Sequence, residues 1–329
     1  MGLQTPPSEL LAFFDQYPGF YIVAHEEPDG DSTGSQLVLG SFLQRRGKTI
    51  VLLSPGPWQR KEIAPYERFF RKNLSTEEIN PRFGVILLDC ASLDRIGSFK
   101  EVLSGLNTAV IDHHASNGGS FGSLQYIEPK APCVTLLIQK IIEACKEPFT
   151  TEEARLLFLG FATDTGFFRH LEAEAAESLE MVSRLAAQGV SPKSIYQETF
   201  GNYSLTSRKY LATILSTLET HFEGKLLVTH ITFQDFQTYP KDHRQSDPLY
   251  QLLLSVEGCE VVAFIREEEP GRTSVSLRSP QGVNVAEIAQ KFGGGGHKNA
   301  AGYITPLPWN SAKEQLLEIF RPLFYPAIP

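Results

Sequence analysis

The sequence has few cysteines, no long apolar run and no excess of basic charge, and each lack removes a class of protein. Its four cysteines, Cys90, Cys133, Cys145 and Cys259, show no C-x-x-C spacing and sit in apolar contexts. That reads as buried free thiols of a reducing compartment rather than a disulfide framework or a structural zinc site. No apolar run approaches the roughly 18 residues of a membrane span, and the start lacks a charged-then-apolar signal sequence. A cytoplasmic location with no membrane partner is expected. The 30 basic residues against 38 acidic ones give a formal charge of −8, whereas a protein that tracks duplex DNA needs the opposite balance. No duplex DNA partner is expected, and a nucleic-acid substrate would have to be short and gripped locally.

What is present suits a globular α/β protein. The 329 residues are 42% apolar and 21% charged, enough for two cores. Strand signals at residues 20–24, 49–53, 85–88 and 108–111 are short, continuous and aliphatic, as in strands buried on both faces of a parallel sheet. Residues 32–46 read as a helix with Ser32 or Thr33 as its cap and Gly47 beyond it. Helices dominate from 134 to 220; among them Ser191-Pro192 reads as a cap with a first-turn proline, and Gly189 as the stop of the preceding helix. Strand signals return at 225–233, 260–266 and 273–278, enclosing a helix at 248–256 and followed by one at 285–292. A last helix is expected at 311–320, with Pro322 as its stop. The expected division is a parallel-sheet domain at 1–200, a helical linker at 201–223 and a smaller α/β domain at 224–329.

Four acidic stations carry the chemistry: His25-Glu26-Glu27-Pro28-Asp29-Gly30-Asp31, Leu88-Asp89-Cys90, Asp112-His113-His114 and Thr163-Asp164-Thr165-Gly166. At least three of them follow strand signals, and strands of an open α/β sheet converge at the edge where ligands bind. Each residue alone has an ordinary explanation. Asp29 could be a turn former, Asp31 a helix cap, and His113 and His114 one core and one surface histidine. Carboxylates and imidazoles gathered at one edge would repel or be desolvated without cations, and that points to a dinuclear metal site. A thiolate-free set of histidines and carboxylates suits Mn²⁺, Mg²⁺, Zn²⁺ or Fe²⁺, and its oxygen-rich balance favours Mn²⁺ or Mg²⁺, with Mn²⁺ the expected ion. Two such ions can bind one phosphoryl oxygen together and activate water for in-line attack. Asp89 is the candidate for the bridging carboxylate.

Farther along, 293–296 is a run of four glycines followed by His297, and Arg278 lies between serines near a strand end. A bare tetraglycine would read as a hinge. Together with an arginine and a histidine it reads as a phosphate grip of exposed backbone N–H groups and a bidentate guanidinium.

The segment from Ala24 to Gln36, Leu88-Asp89, Asp112-His113-His114 and Thr163 to Gly166 resemble the four motifs of the DHH phosphoesterase superfamily. Ser276-Leu277-Arg278-Ser279 and the stretch Gly293 to Gly302 resemble that family's associated C-terminal domain, so the likeness frames residues 20 to 302. It is greatest to the oligoribonuclease (nanoRNase) and 3′-phosphoadenosine-5′-phosphate phosphatase branch. The resemblance implies one metal on His25, Asp29 and Asp89, and a second on Asp31, Asp89, His113 and Asp164. It gives His114 the catalytic role of polarising the phosphate or its leaving oxygen. Ser276, Arg278, Gly294, Gly295, Gly296 and His297 are implied to hold the substrate's nucleotide. One departure is Ala131-Pro132-Cys133-Val134-Thr135, where relatives tend to begin a helix with small residues, serine and threonine.

The function implied is a metal-dependent hydrolase that cleaves very short RNA oligonucleotides to nucleoside monophosphates, with 3′-phosphoadenosine-5′-phosphate as a second substrate. A phosphodiesterase for cyclic di-AMP or its linear product pApA is the alternative within the same chemistry. A catalytically silent nucleotide-binding protein is the alternative of another class, and a complete ligand set speaks against it. A homodimer is one assembly state left open.

Overall fold

The computed structural model describes residues 2–90, 92–114, 122–280 and 282–325, and the chain divides into two compact units, Met1–Asn202 and Tyr203–Pro329. The first unit opens with helix α1 (Ser8–Gln16) and strand β1 (Gly19–Val23). Helix α2 (Gly30–Arg45), β2 (Thr49–Leu53), β3 (Gly84–Leu88), the short α3 (Phe99–Val102), β4 (Thr108–Asp112) and β5 (Leu124–Ile127) follow. Helices α4 (Val134–Ala144), α5 (Thr151–Asp164), α6 (Ala176–Ala187) and α7 (Pro192–Phe200) complete it. The strands form one sheet in the order β2-β1-β3-β4-β5, and every pairing is parallel. Every residue of β1 and β3 is buried, which explains their unbroken aliphatic sequence. The order reverses between β1 and β3, so the crevice beyond their C-terminal ends is where this topology places a ligand.

Two expectations about helix starts and stops are corrected. The cap of α2 is Asp29 rather than Ser32 or Thr33. Asp29 Oδ1 accepts from Ser32 N at 2.9 Å, and Ser32 Oγ accepts from Asp29 N at 3.0 Å. The reciprocal pair satisfies two amides at once, so the helix starts two residues earlier. Pro322 lies inside the last helix rather than ending it. It removes one amide near the C-terminus, while the buried Phe320, with the Phe324 ring stacked on it and tilted against Phe222, holds the final turn in place. The cap at Ser191 with Pro192 in the first turn is as expected.

The second unit contains α8 (Leu205–Leu215), β6 (Glu219–His221), β7 (Leu226–Ile231), α9 (Phe233–Gln237), α10 (Asp247–Leu253), β8 (Val261–Glu269) and β9 (Arg272–Arg278). It ends with α11 (Val285–Gln290), β10 (Gly295–His297), β11 (Ala300–Thr305) and α12 (Trp309–Phe324). Its sheet runs β10-β11-β9-β8-β7-β6 and is mixed, with only β7 and β8 parallel among its pairs. One face packs on α11 and α12 through Val261, Ala263, Leu277 and Phe320. The other packs through Leu227, Val262 and Phe264 on α8 and α10. Helix α8, expected within a connector, is therefore part of this core: Tyr210, Leu211 and Ile214 sit against that sheet.

The close crossing of α2 and α5 depends on glycine. A Cβ at Gly34 would stand 2.7 Å from the Leu156 carbonyl oxygen and 3.3 Å from Thr135, a backbone clash that side-chain motion cannot relieve. Replacing Gly34 with valine should destabilise the protein by about 1–3 kcal/mol, despite valine's better helix propensity. Urea denaturation checks this; an unchanged midpoint would show that the crossing does not need the glycine.

Candidate metal centre

Three strand ends and two helix ends supply the acidic and imidazole groups, Asp29 being the cap of α2. His25 follows β1, Asp89 follows β3, His113 and His114 follow β4, and Asp164 is the last residue of α5. Asp31 lies in the first turn of α2 and is fully buried. Its two oxygens accept from the backbone amides of Val134 (2.6 Å) and Thr135 (2.8 Å), so it caps α4 across space and faces that helix's positive end. The unusual Ala131–Thr135 stretch therefore keeps an anion-facing backbone whatever its side chains. Gln36 ties the same helix to the sheet, its Nε2 donating to the carbonyls of Ile22 and Leu53 at 2.9 Å each.

The donor atoms converge. His25, Asp29 and Asp89 form one group with ligand atoms mutually within 4.8 Å, and Asp31, His113 and Asp164 form another; Asp89, His113 and His114 form a third that overlaps both. Asp89 connects them. Its Oδ2 lies 3.3 Å from His25 Nε2 and its Oδ1 lies 3.5 Å from His113 Nε2. His113 Nε2 is also 3.4 Å from Asp164 Oδ2, and His25 Nε2 is 3.7 Å from Asp29 Oδ2. Two donors about 2.1 Å from one small divalent ion stand about 3–3.5 Å apart, so these separations fit shared cations.

The imidazoles are turned for that purpose. His25 Nδ1 is 2.6 Å from the Glu26 carbonyl and His113 Nδ1 is 3.1 Å from the Ala131 carbonyl. A carbonyl can only accept, so each Nδ1 carries a proton and each Nε2 is the nitrogen turned to the cluster, the one whose lone pair would face a cation once its own proton is displaced, as in metal-binding histidines. His114 differs: its Nδ1 sits 2.8 Å from Asp112 Oδ1. Asp112 is fully buried and also accepts from the backbone amides of His113 and His114. Asp112 is the residue that reading the motif passed over, although it is the aspartate of Asp-His-His. Its signal was position: the last residue of a buried strand cannot send a carboxylate toward solvent, so it orients its neighbours.

The backbone at Asp89 is left-handed (φ 53°), a conformation that aspartate tolerates better than most side chains. Its amide still bonds the Ile111 carbonyl at 3.1 Å, so the turn stays tied to β4 while the carboxylate swings between the two histidines.

Electrostatics show what the protein alone cannot balance. Burial, with Asp31 and Asp89 nearby, pushes the Asp164 carboxyl up to about 9. Burial and Asp89 push Asp31 up to about 7. For Asp89, burial is outweighed by the His113 and His25 contacts, and it is held well below the usual carboxylate range. Burial would lower His25 and His113, but the carboxylates around them raise both to about 10. Without cations the cluster must therefore keep protons on acids and imidazoles alike. The residues present fit divalent cations, which would supply the missing positive charge.

The expected substrate residues gather in the second unit. Cross-strand register aligns His297 with Ala300 and Arg278, and Gly295 with Gly302 and Ser276, in adjacent rows. Directly opposed residues share a face, as do residues two apart on a strand, so Ser276, Arg278, Gly295 and His297 lie on one side of the sheet. The Arg278 guanidinium stands 4.6 Å over the Tyr250 ring. The second half of the glycine run, with His297, is a short edge strand, because β10 pairs with β11. Gly294 and Gly296 are needed by that packing: a Cβ would fall on the Gly302 carbonyl at the first and 2.5 Å from the Ala300 carbonyl at the second. Only at Gly295, of these three, does a Cβ meet open space.

Comparison with known proteins identifies the family. Residues 19–161 match the DHH family N-terminal domain, and residues 231–324 match the DHHA1 domain. A bifunctional oligoribonuclease and PAP phosphatase of Thermus thermophilus is 30% identical, over 92% of this chain and 89% of that one. The chain belongs to the DHH phosphoesterase family. It is accordingly a metal-dependent hydrolase. An exopolyphosphatase-related protein from Bacteroides fragilis shares the fold, with a TM-score of 0.81 and 24% identity over 96% of both chains. RecJ from Thermus thermophilus, solved in complex with Mn²⁺, shares it more distantly (TM-score 0.52, 16% identity, 94% of this chain and 54% of that one). Among the described residues, no helix is long and apolar enough to cross a membrane.

The pKa pattern predicts how metal-free protein responds to pH. His25 and His113 hold protons in the folded state above the imidazole's ordinary range, so their stabilisation is full below about 6.5 and is lost as pH rises toward 10. Asp31 and Asp164 also bind protons more tightly folded than unfolded, so they too lower stability as pH rises above the ordinary carboxylate range. In EDTA the melting temperature should fall between pH 6 and 8.5. Because cations displace those protons, the gain in melting temperature on adding Mg²⁺ should grow over the same interval. A metal-induced gain that shrinks with pH would contradict the assigned protonation.

Proposed function

We propose that this chain hydrolyses very short RNA oligonucleotides, dinucleotides above all, to nucleoside monophosphates, and removes the 3′-phosphate of 3′-phosphoadenosine-5′-phosphate. The observation that carries it is the Asp89 carboxylate, with one imidazole against each oxygen. That arrangement supports a carboxylate that two cations would share. The relative named as an oligoribonuclease and PAP phosphatase, matched nearly end to end, supports the substrate class. His25, Asp29 and Asp89 would hold one ion; Asp31, Asp89, His113 and Asp164 would hold the other. Manganese is the preferred ion, on the oxygen-rich donor set and the Mn²⁺ seen with the RecJ neighbour. When bound, the cations supply Lewis acidity toward a phosphoryl oxygen and a lower pKa for water.

The chain's own groups do the rest. His114, with Nδ1 committed to Asp112, keeps Nε2 for the phosphate or its leaving oxygen, and half-exposure leaves that edge accessible. Arg278, Ser276 and His297 bind and orient the nucleotide portion, where a charge-assisted contact is worth about 1.5–3 kcal/mol. A net charge of −8 disfavours long polyanions, so grip is local and the substrate short.

Purified protein with Mn²⁺ tests this against linear dinucleotides, longer RNAs, 3′-phosphoadenosine-5′-phosphate and cyclic di-AMP. Dinucleotides should give the highest kcat/KM, and Asp89→Ala should abolish turnover with the fold intact. A kcat/KM that rises steadily with RNA length, or is highest for cyclic di-AMP, would overturn the substrate assignment. Asp112→Asn preserves shape but weakens the charge-assisted hold on His114. It should lower kcat roughly tenfold with bound metal unchanged; measuring metal by emission spectrometry alongside the kinetics separates orientation from metal loss.

A further inference from the structure

A second guanidinium belongs to the polar face of the second unit. Arg266 lies on β8 opposite Ser274, and strand alternation puts both on the side of the sheet that carries Ser276 and Arg278. Arg266 Nε donates to Ser274 Oγ at 3.0 Å, and Nη2 donates to Ser276 Oγ at 3.1 Å. An ordinary ion pair does not account for this placement. The approach of Arg266 to Glu268 is 3.5 Å, while Glu268 has closer partners in Ser274 Oγ at 2.8 Å and Arg272 at 2.6 Å. The guanidinium spends its well-directed N–H groups on two serines instead of forming the paired contact that arginine prefers with a carboxylate.

The two serines then differ. Ser274 is buried and donates its hydroxyl hydrogen bond to Glu268. Ser276 is only half-buried, and accepting from Arg266 leaves its own proton to be given, with the Tyr250 oxygen as the acceptor within the protein that a phosphate oxygen would replace. A hydroxyl that accepts from a cation is polarised into a better donor. Along β9 the row of Arg266 and Ser274 lies on one side of Ser276 and the row of Arg278 on the other, so the hydroxyl sits between two positive charges on one face.

We propose that Arg266 is a positioning residue for substrate: it holds the Ser276 hydroxyl as a donor to a phosphate oxygen of the bound nucleotide, beside Arg278. This rests on reading the face as the nucleotide-binding surface. Steady-state kinetics of full-length protein with Mn²⁺ on linear diadenylate test it, using Ser276→Ala, Arg266→Gln, the double variant and Arg266→Lys. Ser276→Ala and Arg266→Gln should each raise KM about three- to tenfold, with kcat the smaller change. The double variant should be no worse than Ser276→Ala, because Arg266 acts through the hydroxyl that is gone. Arg266→Lys, which keeps the charge but not the fork, should recover only part of the loss. If the double variant shows the product of the two single losses, or Arg266→Gln behaves as wild type, the inference about Arg266 is overturned while the nucleotide face stands. If Ser276→Ala itself is silent, the assignment of that face falls too. A fall in kcat and melting temperature at unchanged KM for Arg266→Gln would make it a structural residue and end the proposal.

Discussion

The first unit is organised around a charge problem: buried carboxylates meet at one sheet edge with too little positive charge nearby. Asp89 takes both available imidazoles, one on each oxygen, and remains ionised as a result. Asp164 and Asp31, with less compensation, are driven toward the neutral form. A structure optimised for stability alone would replace such a cluster with apolar side chains, since the desolvation cost outweighs the pairing gained. Its persistence makes sense where cations complete it. The surrounding architecture then reads as support for six side chains held close against their mutual repulsion.

That support is mostly small residues and backbone. Glycine at 34 lets α5 come close enough to α2 for Asp164 to join a site built otherwise from strand ends and the start of α2. The N-terminus of α4 contributes two amides to Asp31, so a helix dipole offsets part of the charge that no side chain neutralises. Gln36 spans two strand carbonyls beneath the cluster. Asp29 serves twice, one oxygen capping α2 and the other facing His25. Ordinary helix capping and metal binding are therefore not competing explanations for this residue; one carboxylate has room for both.

The sequence made the parallel sheet and its site legible because both leave periodic or local marks. Uninterrupted aliphatic runs marked β1, β3 and β4, and polar residues stood directly after each. Asp164 was harder to place, since it ends a helix rather than a strand, and only packing through glycine brings it in. Strand β5 and the glycine-rich β10 passed unnoticed: β5 has mixed burial, and β10 has no side-chain pattern before its histidine. Pro322 misled for a related reason. Local propensity argues for a stop, while the burial of Phe320 and the ring contacts of Phe324 lie in tertiary structure. Asp112 was in plain view and its role still was not, because orienting a neighbour is a property of geometry and not of composition.

The second unit handles charge in the opposite way. Its polar face collects guanidiniums and holds them mainly on neutral groups: Arg278 over the Tyr250 ring, and Arg266 on two serine hydroxyls with Glu268 farther off at 3.5 Å. Positive charge supported by π-faces and hydroxyls stays available to an anion, whereas charge locked in tight carboxylate pairs does not. In a chain carrying eight more acidic than basic residues, such local availability matters more than net charge. An overall negative field discourages a long polyanion at a distance, while guanidiniums held mainly on neutral groups would still grip one nucleotide at close range, where the field of the rest of the molecule is screened. The proposed preference for short substrates rests on that contrast between the net charge and this one face.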